Sequence, residues 1–359
     1  MVTSRFFSLR VSVVALWLAV LFTFLYIPQA FRWINPTRSI NVFMWSGVVA
    51  PEMFKRFEEQ TGIRVNVSYY EGNEELLVKL LATKGKGYDL IVPSEYNIKF
   101  LVEHHLLKKL DKTKLNFLDK INPKFTGHYF DPYNTYSIPA EWYFIGFAVD
   151  KTKFPDGLPA ASWDTIFKPQ DPIRLSLIND SRELSSLAIH YLLGELCPLT
   201  VNSLDRIVDL LKKQKPFVEA YSDFRGDFLL ESGNCSVALM FFSHIAKTLQ
   251  TNENLAFLVP EEWTFLGIEN YAIPAASTKE DLVYELLNFL LSPEVQKYNF
   301  ENAMSLPVRA DADYLFNAPV IGEYARLLHP TSTYKMVIFK NMLTDQQVNH
   351  IWLSVKGGL

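Results

Sequence analysis

The sequence is poor in cysteine and has no excess of positive charge. It contains only two cysteines, Cys197 and Cys235, in 359 residues, and their separation does not match metal-ligand spacing. In an oxidising compartment the two could form a disulfide, and the alternative is a pair of buried thiols. The net charge is −4 and the lysines and arginines are dispersed, so we expect no nucleic-acid partner.

The sequence also lacks the motifs of the common catalytic sites. It has no H-E-x-x-H motif and no G-x-S-x-G motif, and GKGYD at 85–89 lacks the spacing of a phosphate-binding loop. No other grouping of acid, base and nucleophile stands out. We therefore expect a protein that is not an enzyme and that needs no cofactor and no metal.

A long apolar run near the N-terminus indicates export. Arg5 and Arg10 precede residues 11–27, VSVVALWLAVLFTFLYI, which is the pattern of a secretory signal. Residues 28–30 are a poor cleavage site, however, and about 17 apolar residues are enough for the shortest spanning helices. Residues 1–30 are therefore predicted to be a signal peptide or, as the alternative, an N-terminal membrane anchor.

The following residues predict alternating strands and helices. In chain order the elements are a strand at 40–45, a helix from Pro51 to a C-cap at Gly62, a strand at 63–69, a helix capped by Asn73 and a strand at 88–92. This order predicts a parallel sheet with helices on its faces. Ligands of such sheets bind beyond the carboxyl ends of the strands, so we expect Trp45 and residues 94–96 on one rim.

The rest of the chain continues the α/β pattern. We predict strands at 142–151, 173–180, 236–242 and 268–275, helices at 181–196 and about 203–214, and a helix start at Ser292. Low-complexity tracts and linkers rich in Gly or Ser are missing from the sequence. Two α/β lobes joined by several crossovers fit this pattern better than two separate domains.

Several segments together resemble a known family. They are residues 41–80, YDLIVPSEY (88–96), YSIPAEW (136–142), NDSRE (179–183), YAIPA (271–275) and LLSPEV (290–295). In this order they resemble the spermidine/putrescine receptors of bacterial ABC importers, over residues 40–310 and more weakly to the end. The resemblance implies a monomeric periplasmic protein that captures a polyamine and delivers it to an inner-membrane permease and ATPase.

The family's fold is a two-lobe periplasmic-binding fold of the type II kind. Each lobe is a β-sheet flanked by helices, and the ligand cleft lies between the lobes. Carried over to this sequence, lobe one comprises residues 40–139 plus 271–308, and lobe two comprises 140–270 plus 309–359. The hinge strands are expected near 139–147 and 268–274.

The resemblance also implies a set of ligand-binding residues. The predicted residues are Trp45, Ser94, Tyr96, Asp180, Glu183, Phe241 and Glu269. Carboxylates form charge-assisted hydrogen bonds with ammonium groups, and aromatic faces attract cations, so these residue types suit a polyamine.

Other positions depart from the family's pattern. Gly47 and Val48 stand where relatives often have Glu-Tyr, and Gly267 replaces a common tryptophan, whose space Trp263 could fill.

Structural roles are the alternative for each candidate. Asp180 and Glu183 fit a helix N-cap with its capping-box partner, and one carboxylate could serve both purposes. Ser94 could simply begin a turn, and the aromatic residues could belong to the core. At the level of function, the rivals are a receptor for another small cation or an amino acid, and an anchored sensor that has kept the fold.

The signal-peptide interpretation predicts that the mature exported protein lacks residues 1–30. Intact-mass measurement of protein recovered from its native envelope checks this, because signal peptidase removes the apolar segment. Detection of the complete N-terminus on the mature protein would instead establish the anchor.

Overall fold

The structure is a computed structural model. It describes residues 38–222, 225–318, 321–325, 332 and 334–357, together with Leu16, Trp17, Val20 and Phe22. The prediction of a signal peptide or anchor at 1–30 lies outside the described residues, apart from those four. Within the described part of the chain, no helix combines the length and the apolar character needed to cross a membrane.

The described residues form an α/β structure. The strands are β1 (Ser39–Trp45), β2 (Arg64–Tyr70), β3 (Leu90–Ile91), β4 (Ser137–Asp150), β5 (Leu175–Leu177), β6 (Val218–Tyr221), β7 (Val237–Phe241), β8 (Leu255–Leu258), β9 (Thr264–Ala272) and β10 (Met336–Ile338). The helices are α1 (Pro51–Thr61), α2 (Asn73–Thr83), α3 (Glu95–Glu103), α4 (Asp164–Phe167), α5 (Ser181–Leu193), α6 (Val201–Gln214), α7 (Gly226–Glu231), α8 (Phe242–Thr251), α9 (Glu280–Leu290), α10 (Pro293–Ala303), α11 (Ile321–Ala325) and α12 (Asp345–Lys356).

The predicted β-α-β-α-β start is confirmed. Strand β1 pairs in parallel with β2 and with β3, so all three carboxyl ends lie at one edge. Helix α1 ends at Gly62, whose φ of 69° is the left-handed conformation that glycine adopts without strain. The prediction that Asn73 caps α2 is wrong, because Gly72 is the N-cap and the Asn73 side chain turns inward.

The long strand β4 joins the two halves of the sheet. Residues 137–144 of β4 pair antiparallel with β9, and residues 145–150 pair with β7 and β8. The order of strands is β2-β1-β3-β9-β4-β7-β5-β6, with β10 beside β9 and β8 beside β4. The lobe boundaries near residues 140 and 270 stay a prediction, and both fall in this central pair of strands.

Hydrophobic cores lie on both halves of the sheet. One core packs α1, α9 and α10 against the sheet, and includes the buried rings of Phe57 and Phe144. Another packs α4, α5, α6 and α12, and includes Trp163 and Ile351. Cys197 and Cys235 are both free thiols, so the disulfide alternative is not realised.

A buried aspartate fixes the turn that leads into β4. The carboxylate of Asp131 accepts hydrogen bonds from the backbone N–H groups of Thr135, Tyr136 and Ser137 at 2.8–2.9 Å. The hydroxyl of Ser137 donates a further bond at 2.9 Å. Asp131 is only 4% exposed, so water cannot easily take its place as the hydrogen-bond acceptor for these donors.

We expect Asp131→Asn to lower the free energy of unfolding by about 3 kcal/mol, since an amide has one acceptor oxygen for four donors. Urea unfolding followed by circular dichroism measures the effect. Asp119→Asn is the matched control, because the Asp119 side chain is 70% exposed and forms its ion pair with the neighbouring Lys120. Equal stability of the two variants would contradict the role of Asp131.

Candidate ligand-binding site

A cavity of about 320 Å³ lies at the carboxyl ends of the parallel strands. The segments after β1, β2, β3, β5 and β7 all reach it, as do the central strands β4 and β9. Its lining residues are Trp45, Ser46, Glu71, Gly72, Asn73, Glu74, Ser94, Glu141, Tyr143, Asn179, Asp180, Ser181, Glu183, Phe241, Ser243, His244 and Glu269. The shared rim expected from the strand pattern is therefore present.

Of the seven predicted site residues, all but Tyr96 line this cavity. Tyr96 lies in the first turn of α3, and its ring packs against Phe339 at 5.0 Å between centroids. Its buried hydroxyl has no hydrogen-bond partner. The two positions between Ser94 and Tyr96 correspond to about half a turn of helix, so the two side chains point in different directions. Ligand contact by each of the seven residues, Tyr96 included, stays a prediction.

A chain of buried hydrogen bonds forms the floor of the cavity. Oε1 of Glu269 accepts a bond of 2.7 Å from the hydroxyl of Ser94, which accepts one of 3.0 Å from Asn73. The Asn73 carbonyl oxygen in turn accepts a bond from Asn97 at 2.6 Å. The inward turn of Asn73 therefore fixes the hydroxyl that orients Glu269.

The environment of Glu269 disfavours its charge. Burial raises the pKa of Glu269 well above its ordinary value, the nearby carboxylate of Glu95 raises it further, and the Ser94 hydrogen bond acts in the opposite direction. Neither Oε2 of Glu269 nor Nε1 of Trp45 makes a hydrogen bond of regular geometry, although the indole is near enough to favour the ionised carboxylate. Both atoms are buried, although the residues that carry them line the cavity.

Glu95 lies in the same turn as Ser94 and supports β9. It is fully buried; Oε2 accepts the backbone N–H of Ile268 at 2.9 Å, whereas Oε1 has no partner. Burial raises the pKa of Glu95 to about 8, and the backbone hydrogen bonds oppose this shift. The strand pattern predicted residues 94–96 on the rim, but Glu95 was not among the predicted ligand-binding residues, and it does not line the cavity.

The first turn of α5 supplies acids from the opposite side. Asp180 caps the helix by accepting the backbone N–H groups of Arg182 at 2.8 Å and Glu183 at 2.9 Å, as predicted. Asp180 and Glu183 also line the cavity, so the capping role and a ligand role are compatible.

Sequence reasoning missed Glu141 and Tyr143 of β4. Glu141 faces Glu269 directly across the antiparallel pair, and like charges at such positions repel. Burial raises the pKa of Glu141 to about 7, although a hydrogen bond from Ser305 acts to lower it. A lone carboxylate in the apolar stretch SIPAEWYFIGF was the signal. The sequence left open whether Trp263 fills the space at Gly267; in the structure Trp263 stacks on Trp163 in the core, with centroids 4.7 Å apart, and does not line the cavity.

The charge of the lining is one-sided. Its carboxyl groups belong to Glu71, Glu74, Glu141, Asp180, Glu183 and Glu269. Among the described residues that line the cavity there is no lysine and no arginine. Arg182 lies nearby, but its guanidinium is bound by Glu74 at 3.3 Å, by the Leu343 carbonyl at 3.3 Å and by Asp345. The cavity therefore suits a cation and offers little to an anion.

Comparison with known proteins places this geometry in a family. The model of the bacterial extracellular solute-binding proteins matches residues 52–320. The chain belongs to this family. This solute-binding protein is 29% identical over 259 residues to the spermidine/putrescine-binding periplasmic protein of Salmonella typhimurium. The alignment covers 72% of this chain and 74% of the relative. It is 28% identical over 343 residues to the putrescine-binding periplasmic protein SpuD of Pseudomonas aeruginosa, covering 89% and 92%.

Solved structures of similar proteins confirm the two-lobe α/β fold class. The spermidine/putrescine substrate-binding protein PotD of Streptococcus pneumoniae has a TM-score of 0.75 at 26% identity, covering 89% of this chain and 99% of that one. A putative spermidine/putrescine ABC transporter protein from Listeria monocytogenes has a TM-score of 0.77 at 26% identity, with the same coverage. The predicted family resemblance is confirmed by these comparisons.

We expect Glu95→Gln to flatten the pH dependence of stability. A buried acid whose pKa is raised to about 8 keeps its proton in the folded state, so wild-type stability falls as pH rises from about 4.5 to 8. One such proton contributes at most about 1.4 kcal/mol per pH unit. Urea unfolding at several pH values compares the variant with Glu103→Gln, a partly exposed control on the same helix. Parallel curves for all three proteins would refute the assignment.

Proposed function

We propose that this solute-binding protein binds a linear polyamine, spermidine or putrescine, and presents it to a bacterial ABC importer. The observation that carries the proposal is the composition of the cavity wall. Six carboxyl groups and three aromatic side chains line it, while the described lining residues include no lysine or arginine. A thin chain with ammonium groups at intervals has the complementary chemistry.

The two groups of acids provide separate positions for ammonium groups. Glu269 and Glu141 belong to the central strands, whereas Asp180 and Glu183 belong to the first turn of α5. The aromatic rings of Trp45, Tyr143 and Phe241 also line the cavity, where they can contact methylene groups and attract cations, by about 0.5–2 kcal/mol for each good contact. A bound ammonium group offsets the cost of ionising acids whose pKa is raised by burial.

Closure around the ligand follows from the connections between the lobes. Strands β4 and β9 contribute to both halves of the sheet and are the proposed hinges, with lobe one at 40–139 plus 271–308 and lobe two at 140–270 plus 309–359. In this structure Arg182 of α5 pairs with Glu74 of α2 beside the cavity. Hinge closure of this kind is how two-lobe receptors enclose their ligands.

The names of the relatives support the same proposal, since both sequence relatives are described as binding putrescine. We further propose that the protein acts outside the cytoplasmic membrane as a monomer without catalytic activity. Its partners in this proposal are an inner-membrane permease and an ATPase. The anchor at residues 11–27 is the alternative to a cleaved signal.

Calorimetry and thermal unfolding test the ligand directly. Putrescine or spermidine at 100 times its Kd should stabilise the protein by about 2.7 kcal/mol and raise its Tm. A neutral amino acid and a sugar should leave the Tm unchanged, because neither neutralises the acids. A shift with the amino acid but with neither amine would overturn the polyamine assignment.

Asp180→Asn should remove most of the polyamine-induced rise in Tm. Asparagine is as good an N-cap as aspartate, so the helix start is kept while the charge is lost. Asp205→Asn, on the exposed side of α6, is the matched control and should respond like the wild type. If Asp180→Asn binds the amine with unchanged Kd, Asp180 has no part in the site.

A further inference from the structure

Tyr143 occupies the space above Gly267. The two residues are partners in the antiparallel pairing of β4 with β9. A Cβ atom added to Gly267 would lie 2.0 Å from Cζ and 2.4 Å from the hydroxyl oxygen of Tyr143. The end of the phenol ring therefore rests on the bare backbone of the facing strand, and no residue larger than glycine fits at 267 without moving it.

The other contacts of Tyr143 connect this strand pair to the acids of the cavity. Its ring meets Phe241 edge to face, with centroids 5.1 Å apart. Its hydroxyl is 3.5 Å from Oε1 of Glu183, a long hydrogen bond. Burial raises the pKa of Tyr143 well above its ordinary value, and the charges of Glu95, Glu183 and Glu269 raise it further. The phenol thus keeps its proton while lying among carboxyl groups from both sides of the cavity.

We propose that Tyr143 determines specificity in this cavity: its ring, seated on Gly267, limits the width available to the ligand, and its hydroxyl accepts an N–H bond from an ammonium group while donating to Glu183. This inference rests on the proposed binding of an amine. A hydroxyl carries one donor and two acceptor lone pairs, so both bonds can exist together. The favoured ligand is an unbranched chain ending in primary ammonium groups.

A fully N-methylated amine is the natural contrast to such a ligand. In N,N,N′,N′-tetramethylputrescine each nitrogen keeps a positive charge but has a single N–H and a wider head. The Tyr143 ring leaves too little width for the dimethylated nitrogen. Its single N–H also cannot donate to both a carboxylate and the phenol oxygen. Discrimination against a competitor by an obstructing group is a common source of specificity.

Calorimetry with putrescine, spermidine and N,N,N′,N′-tetramethylputrescine tests the inference on the full-length protein and its variants. Tyr143→Phe should weaken binding of the primary amines by about 10-fold, the effect of one hydrogen bond to a charged group. Tyr143→Ala should reduce the ratio of the Kd for the methylated analogue to the Kd for putrescine, also by about 10-fold, because the ring that limits the width is removed. Tyr133→Phe, whose side chain is 80% exposed, is the control and should match the wild type.

A double-mutant cycle separates this role from a purely structural one. Gly267→Ala should weaken amine binding in the wild type, where the new Cβ displaces the ring, and have little further effect in Tyr143→Ala. The Tm of each ligand-free variant reports any general loss of stability. If the wild type binds amines and the variants keep its Kd values and its preference, the inference is overturned alone. If the wild type binds no amine, the proposed function fails first and the inference falls with it.

Discussion

Carboxyl groups gathered in one partly closed space are the constraint on which this site depends. Separately each would ionise easily at neutral pH, but burial and mutual repulsion oppose their charges. Glu141 faces Glu269 across β4 and β9, and Glu95 lies beneath them within electrostatic range. The described lining contains no lysine or arginine to compensate, so the arrangement is most stable with either protons or an external cation present.

The sheet makes this gathering possible. Strands β1 and β3 run parallel to each other, and so do β5 and β7, but the two sets run in opposite directions. Their carboxyl ends therefore reach the cavity from opposite sides, which brings Trp45, Ser94 and Asp180 together although they are distant in sequence. The antiparallel pair β4 and β9 passes through the centre and places side chains between those ends. Small polar groups such as Asn73 then fix the orientation of the acids. Fold and site are therefore two results of the same strand order.

Sequence patterns predicted what depends on periodicity and on chain order. The alternating strands and helices up to residue 92, the cap at Asp180 and the rim holding Trp45 and Ser94 follow from local rules. The directions of Tyr96 and Trp263 could not be obtained in this way, since each is decided by which core offers space. The position of Tyr143 in the cavity could not be predicted, because it depends on the lack of a side chain at Gly267, more than a hundred residues away in the sequence. Glu269 required the family resemblance.

The position of Arg182 has a consequence for the whole C-terminal segment. This guanidinium belongs to the same helical turn as Asp180 and Glu183, and it could serve as their internal counter-ion. Instead it binds Glu74, one of the acids of the lining, together with the carbonyl of Leu343 and the carboxylate of Asp345. The C-terminal segment thereby competes with the lining acids for the one arginine of this turn.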